Sequence, residues 1–204
     1  MKSAIAGCAD GQCNLGYCYD HCIGTVKNEM KAFEWYLKSA ENGSAIAQNN
    51  LGRCYLYGKG IDKNEKKAFE LFMKSSIAGC ANGQCNLGYC YDNGIGTDKN
   101  ETKAFELYLK SAENGSVIAQ NNVGIAYRYG RGIDKNETKA FEWYLKSAEG
   151  ESAIAQLKLA EFYHYGYGID KNIDKALYWY KRASDNGIEA AKNKLNNILS
   201  GIQN

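Results

Sequence analysis

Residues 44–79 read SAIAQNNLGRCYLYGKGIDKNEKKAFELFMKSSIAG, and this text returns along the chain every 36 residues. Its Leu-Gly-x-x-Tyr core begins at Leu51, and the matching positions elsewhere are Leu15, Leu87, Val123 and, with Ala in place of Gly, Leu159. Self-similarity at a fixed period of this size is typical of a stacked helical array. Each unit of such an array buries its apolar face only against its neighbours, so function should lie on a surface that several repeats share.

Each repeat contains two helical patterns separated by a loop that contains glycine. Ser44 is a good N-cap for the first helix, called helix A, and Gly58 can take the left-handed conformation that ends it. Asn64 is placed to cap the second helix, called helix B. Glycine inside a helix costs about 1 kcal/mol relative to alanine. Because Gly52 recurs inside helix A in four repeats, we expect a neighbouring helix to approach closely there. The unit is therefore an αα-hairpin.

The hairpins divide the chain into repeats at 8–43, 44–79, 80–115, 116–151 and 152–187, followed by a polar capping helix at 188–204. Residues 1–7 align with the end of a helix B, which predicts the stub of a preceding helix and a chain cut from a longer polypeptide.

Two irregularities predict local differences between repeats. Cys22 replaces the glycine that ends helix A elsewhere, so the first helix A should end less cleanly. Gly150 and Glu151 invert the usual Asn-Gly order after helix B, so the turn there should be altered.

The composition favours a soluble protein without electrostatic affinity for nucleic acid or membranes. The net charge is only +2 at pH 7, and 45% of the residues are hydrophobic, which is enough for a core. No apolar run reaches the length of a membrane-spanning helix, and the N-terminus lacks an apolar signal core. We therefore expect no nucleic-acid partner, no direct membrane insertion and a cytoplasmic location.

The eight cysteines are interpreted as small core residues in a reducing compartment. Cys18, Cys54 and Cys90 occupy one equivalent position, and equivalent positions of stacked helices lie about 8–10 Å apart, beyond disulfide reach. The even count and several Asn-x-Ser/Thr sequons leave a secreted, disulfide-bonded repeat protein as a weaker alternative.

No motif in the chain indicates catalysis, a metal site or a cofactor site. The Gly-x-Gly that begins at Gly58 lacks the third glycine and the preceding strand of a nucleotide-binding loop. The four cysteines within residues 8–22 are spaced so that they turn away from one another on a helix, which disfavours a zinc site with His21. His21 and His164 are expected at the surface, and neither has an assigned nucleophile. We therefore expect a protein that is not an enzyme.

The repeat resembles the Sel-1-like repeat family, a relative of tetratricopeptide repeats. The similarity rests on Ala-Ile-Ala-Gln-Asn-Asn-Leu-Gly at 45–52 with Tyr55, on the Gly-x-Gly-Ile at 58–61, on Lys-Ala at 31–32 with Trp-Tyr at 35–36, and on Ala-Glu-Asn-Gly at 40–43. It covers essentially the whole chain in five repeats. The resemblance implies an all-α fold, a right-handed α-solenoid in which the A helices line the concave side.

The same resemblance implies a protein-interaction adaptor or scaffold. Similar proteins hold partners in signalling, membrane-protein degradation and cell-wall synthesis complexes. In some relatives the repeats are appended to a catalytic domain such as a kinase, so a regulatory repeat region of a longer protein is an alternative.

The outer face of helix A is the candidate binding surface, because positions equivalent to 46, 50, 53 and 57 share one helical stripe. We expect them to line a concave groove for a protein or peptide partner. The candidate contact residues are Asn14, Tyr17, Ile46, Asn50, Arg53, Tyr57, Asn86, Tyr89, Asn122, Tyr129, Lys158 and Tyr165. The asparagines would either clamp an extended peptide backbone or bond a neighbouring loop, since an amide both donates and accepts. The tyrosines would supply rigid contact area. End-to-end self-association through the N-terminal end is a further expectation.

Overall fold

The computed structural model describes residues 7–202, in which eleven α-helices and no β-strand occur. The helices are α1 (Ala9–His21), α2 (Glu29–Glu41), α3 (Ala45–Tyr57), α4 (Glu65–Ile77), α5 (Ala81–Asn93), α6 (Glu101–Glu113), α7 (Val117–Tyr129), α8 (Glu137–Glu149), α9 (Ala153–Tyr165), α10 (Ile173–Asp185) and α11 (Glu189–Ile202). Odd numbers up to α9 are the A helices, and even numbers are the B helices. The predicted all-α solenoid of helical hairpins is confirmed. The chain folds as two compact units, Met1–Ser111 and Ala112–Asn204, which are described separately.

The caps predicted for the second repeat are present. The Ser44 side chain accepts a hydrogen bond from the Ala47 N–H at 3.3 Å, and Gly58 ends α3 in the left-handed conformation with φ 70°. The Asn64 side chain accepts from the Lys67 N–H at 2.9 Å at the start of α4. These local bonds satisfy backbone groups that a helix leaves unpaired at its ends, and they set the hairpin boundaries.

The helix A glycine makes room for an aromatic ring of helix B in the same repeat. A Cβ atom built on Gly52 would lie 2.7 Å from Cε1 of Phe72, whose side chain is fully buried. The same relation joins Gly16 to Tyr36, Gly88 to Tyr108 and Gly124 to Tyr144, at 2.8–2.9 Å. The predicted close approach is therefore confirmed, and the group that approaches is a ring.

The second glycine of the loop fits against the preceding repeat. A Cβ atom on Gly60 would collide with the backbone of Glu29, at the start of α2, and one on Gly96 would collide with Glu65. In the second unit a Cβ on Gly168 would lie 2.7 Å from the Thr138 backbone nitrogen. The Gly-x-Gly motif thus combines a helix stop with a contact between repeats.

The lysine of the recurring Lys-Ala pair lies over a tyrosine of helix A. The Lys67 ammonium is 5.2 Å from the centroid of the Tyr55 ring. Lys31, Lys103, Lys139 and Lys175 repeat this geometry over Tyr19, Tyr91, Tyr127 and Tyr163, at 5.2–5.4 Å. A cation over an aromatic face contributes about 0.5–1 kcal/mol at an exposed site, so the pair supports each hairpin from outside its core.

The expectation that α1 ends less cleanly is wrong. Cys22 takes the left-handed conformation itself, with φ 59°, and its N–H bonds to the Cys18 carbonyl. The helix has the same 13 residues as α3. The stacked hairpin therefore imposes the turn on a residue that adopts it at a cost in backbone strain.

The expectation of an altered turn after α8 is also wrong. Gly150 has φ −74° and ψ 14°, close to the values of Asn42, and Glu151 takes the positive φ that Gly43 takes in the first repeat. Packing explains the inverted order. A Cβ on Gly150 would lie 2.7 Å from Cγ2 of Val117, and the other repeats have the smaller alanine at the position of Val117.

The C-terminal helix packs on the last hairpin with one face. Ala191 is fully buried, and Leu195 and Ile198 pack against the cluster that includes Tyr180. Most other side chains of α11 are exposed, as expected for a polar capping helix. The predicted helical stub at residues 1–7 lies outside the described residues except for Gly7.

Replacing Gly52 by alanine should destabilise the protein. The new methyl group would displace the buried Phe72 ring, so we expect the free energy of unfolding to fall by about 1–3 kcal/mol despite the better helix propensity of alanine. Gly201→Ala is the matched control, because a Cβ at that helical position meets nothing within 4 Å. Thermal unfolding followed by circular dichroism gives the answer, and equal melting temperatures for the two variants would contradict the ring contact.

Replacing Glu151 by glycine should stabilise the protein, because it removes left-handed strain of about 1 kcal/mol from a residue with a side chain. The ion pair lost with Arg182 is long, 3.6 Å, and Glu151 is 78% exposed there, so it contributes little. Glu142→Gly, at an exposed position inside α8, should instead destabilise by about 1 kcal/mol. Calorimetric unfolding compares the variants. A drop in melting temperature for Glu151→Gly would show that the turn is unstrained.

Candidate partner-binding surface

The A face is the outward face of the A helices and consists of the twelve candidate residues together with Ile118 and Ile154. Eight of the candidates are exposed, namely Asn14, Tyr17, Ile46, Arg53, Tyr57, Tyr89, Tyr129 and Tyr165. The remaining four, Asn50, Asn86, Asn122 and Lys158, are half-buried. Ile118 and Ile154 are equivalent to Ile46 and are likewise exposed. The structure therefore places all these positions on the surface or at its edge.

The hydrophobic members of the A face are unusually open to solvent for their size. Tyr57 is 60% exposed and Ile118 is 67% exposed. Tyr17 stacks on His21 with ring centroids 3.9 Å apart, and the Tyr165 hydroxyl accepts a hydrogen bond from the Lys194 ammonium at 3.2 Å. These two contacts hold the Tyr17 and Tyr165 rings in place, and both side chains remain exposed.

The asparagines of the first unit bond across repeats. The Asn86 amide donates to Asn49 Oδ1 at 2.7 Å, and the Asn50 amide lies 3.9 Å from the Cys13 sulfur. In each pair the donor is one repeat further along the chain. Asn49 also donates to Asn50 Oδ1 at 3.3 Å. These bonds favour a structural role for the half-buried amides over the clamping of a peptide backbone. The sequence analysis expected such bonds to reach a loop, whereas the bonded groups belong to helices.

The acceptors of this amide chain are residues that the sequence analysis did not single out. Asn49 and Cys13 occupy one equivalent position, and both are buried. Burial raises the pKa of the Cys13 thiol, so the bond from Asn50 is made to a neutral sulfur at physiological pH. The signal in the sequence is the first asparagine of the Asn49-Asn50 pair, which helix A places inward.

The second unit departs from this pattern at Lys158, which stands at the position of Asn86. Its ammonium bonds Glu161 at 3.1 Å, and the Arg128 guanidinium lies 3.5 Å from the same carboxylate. Asn121, equivalent to Asn49, is buried, and its Oδ1 has no hydrogen-bond partner within residues 7–202. Lys158 therefore stands in place of the structural amide and forms an ion pair with Glu161 instead.

The structure shows which of the cysteines considered in the sequence analysis are buried. All eight cysteines are free thiols. Cys13, Cys54, Cys85 and Cys90 are buried as expected, whereas Cys8 and Cys22 are exposed, so the core assignment is wrong for these two. Burial raises the pKa of Cys54 to about 11 and of Cys90 to about 12.

His164, which was expected at the surface, is half-buried. Its Nδ1 lies 3.3 Å from the Tyr180 hydroxyl, so the ring is also held by a neighbouring side chain. Among the residues that the structure describes, no group of three or more His, Cys, Asp or Glu side chains is arranged to hold a metal ion. None of the described helices has the length and apolarity needed to cross a membrane.

Replacing Asn86 by alanine should lower the free energy of unfolding by about 1–3 kcal/mol, because Asn49 Oδ1 would be left buried without its donor. Asn14→Ala removes the equivalent but exposed amide and should have little effect. Adding Asn49→Leu to Asn86→Ala should recover part of the loss, since the fifth repeat already carries Leu157 at that position. Chemical denaturation measures all three. Equal stability of the Asn86→Ala and Asn14→Ala variants would show that the amide bond does not stabilise the stacking.

Comparisons with known proteins agree with the repeat geometry. The family model of the Sel1 repeat matches residues 9–44, 45–80, 81–116, 117–152 and 153–188, each beginning one residue after the boundary drawn from the sequence. No curated protein matches the chain.

Solved structures similar to the chain are also repeat proteins. A Sel1 repeat protein from Oxalobacter formigenes is 39% identical with a TM-score of 0.84, over 93% of this chain and 76% of that one. A protective antigen of uropathogenic Escherichia coli that displays an SLR fold is 30% identical with a TM-score of 0.84, over 98% of this chain and 43% of that one. An immunity protein from Pseudomonas aeruginosa, 23% identical with a TM-score of 0.63 over 90% of this chain and 67% of that one, shares the fold. The five matched repeats cover most of the sequence, and the chain belongs to the Sel1 repeat family.

Proposed function

We propose that this protein is an interaction module that binds a partner protein or peptide through the A face. The observation that carries the proposal is the repeated exposure of large hydrophobic side chains at equivalent positions. They are Tyr17, Ile46, Tyr57, Tyr89, Ile118, Tyr129, Ile154 and Tyr165. Single exposed apolar residues are ordinary, but repetition at fixed positions along successive helices is a feature of a binding surface.

The residue types support the same conclusion. Tyrosine offers a large, rigid contact area with a polar end and is enriched among residues that dominate interface energies. Sel1 repeats generally mediate protein–protein binding.

The asparagines and the hydrophobic residues would then have different roles. In the first unit the amide donors of Asn50 and Asn86 already bond neighbouring repeats. They position the A helices, and Tyr17, Tyr57 and Tyr89 make the contacts with a partner. Arg53, which is exposed beside them, would add a charged contact at this surface.

Selection of random dodecapeptides on the full chain tests the proposal. Each selected peptide should bind at least about tenfold more weakly to one of two double variants, Tyr57→Ala/Tyr89→Ala in the first unit or Ile118→Ala/Tyr129→Ala in the second. The loss of each large side chain from the contact should cost more than about 1 kcal/mol of binding free energy. Tyr178→Ala is the matched control, since Tyr178 is 56% exposed on α10, outside the A face. Fluorescence anisotropy gives the affinities.

Both double variants should keep the melting temperature of the unaltered protein, because all four side chains are exposed. Selected peptides that bind both double variants as well as the unaltered protein would contradict the assignment of the A face. The same holds if Tyr178→Ala weakens binding equally.

A further inference from the structure

The second unit carries a group of cations and tyrosines that interlock. The Arg128 guanidinium carbon lies 4.7 Å from the ring centroid of Tyr167 and 5.4 Å from that of Tyr129. The rings of Tyr165 and Tyr167 are 5.5 Å apart, and Lys194 bonds the Tyr165 hydroxyl at 3.2 Å. With Lys158, these side chains form the basic–tyrosine cluster, defined as Arg128, Tyr129, Lys158, Tyr165, Tyr167 and Lys194.

The cluster has more positive than negative charge. Among the ion pairs of the described residues, its three cations are opposed by one carboxylate, Glu161, which bonds Lys158 at 3.1 Å and lies 3.5 Å from Arg128. One carboxylate cannot neutralise three cations. Burial, together with the charges of Lys194 and Lys171, lowers the pKa of the adjacent His164, as expected in a positive field.

The cations differ in accessibility. The Arg128 side chain is only 16% exposed, so it orders the tyrosine rings and adds to the field without reaching far into solvent. The Lys158 side chain is 30% exposed, and Lys194 is exposed at the surface of α11. Lys158 and Lys194, with the hydroxyls of Tyr129 and Tyr165, are therefore the groups that an incoming ligand meets.

The first unit has no such cluster at the equivalent positions. In the first three repeats the position of Arg128 is occupied by Asp20, Leu56 and Asp92. The position of Lys158 is occupied by Asn14, Asn50 and Asn86. Two acidic residues thus stand where the second unit has arginine, and amides stand where it has lysine. The charge is a property of the second unit and not of the repeat.

We propose that the A face of the second unit binds an acidic peptide segment. Aspartate or glutamate side chains of the partner accept hydrogen bonds from Lys158, Lys194 and the tyrosine hydroxyls, while its aliphatic side chains pack against Ile118 and Ile154. This inference rests on the proposed function and adds the chemical class of the partner. Bonds between ammonium groups and carboxylates are stronger than neutral ones, and the excess positive charge both attracts an acidic segment and disfavours a basic one.

A fluorescein-labelled peptide of alternating leucine and glutamate tests the inference against the same peptide with glutamine in place of glutamate. With the full chain, the acidic peptide should bind at least about tenfold more tightly at low salt, as measured by anisotropy. Its affinity should fall as sodium chloride is added, because exposed charges are screened. The glutamine peptide should respond little to salt.

Matched variants locate the charge effect. Lys158→Gln/Lys194→Gln should weaken the acidic peptide several-fold and leave the glutamine peptide unchanged. Lys66→Gln/Lys110→Gln removes the same charge from exposed positions of the B helices and should leave both affinities unchanged. Melting temperatures verify that each variant is folded.

Three outcomes would overturn the inference: equal affinity for the two peptides, equal losses in the two lysine pairs, or no binding of the acidic peptide by the full chain. The proposed function fails separately. If library-selected peptides are weakened by one of the two A face double variants but show no preference for acidic residues, the A face binds peptides and only the charge preference is wrong. If selected peptides bind both double variants normally, the proposed function itself is wrong.

Discussion

The contact between a glycine of helix A and an aromatic ring of helix B sets the geometry of each hairpin. Phe72 is fully buried against Gly52, and a tyrosine takes the place of Phe72 in each of the three other repeats that have the glycine. The ring occupies the volume where a side chain of helix A would stand, so the two helices approach closely without a void. In the fifth repeat Ala160 and Tyr180 are both fully buried in one cluster. Because the ring contact packs the inner face of helix A, the residues of its outward face are not needed for the packing of the hairpin.

Successive repeats are joined by contacts of a different kind. The loop glycines Gly60 and Gly96 fit against the start of the preceding helix B, where no side chain has room. The Asn86 amide bonds buried Asn49 one repeat back, at 2.7 Å. A buried polar group without a partner is costly, so this bond specifies the register in which the A helices stack. Besides the hydrophobic clusters that adjacent repeats share, two sets of small or polar residues therefore help to align the repeats of the first unit.

The exposed positions of the A face, which do not take part in this packing, are those through which we propose that a partner is recognised. Tyrosines and isoleucines recur on the A face of both units, whereas charge does not. In the second unit Lys158 pairs with Glu161 and makes no structural amide bond, and the buried Oδ1 of Asn121 has no donor among the described residues. A local loss of repeat regularity thus accompanies the gain of a basic surface. Under the proposed function, this is the exchange of stability for recognition that functional surfaces often show.

The sequence by itself determined the period, the helix caps, the close approach at Gly52 and the exposure of the A face tyrosines. These features follow from local hydrogen bonding or from residue types that recur at equivalent positions of the five repeats. Only the tertiary structure decided which partner each amide takes, because an asparagine at the edge of a helix can bond solvent, a loop or the next repeat. It likewise decided that Cys22 and Glu151 take left-handed turns. Packing inside a hairpin, such as Val117 against Gly150, overrides the local preference of a residue for its backbone conformation.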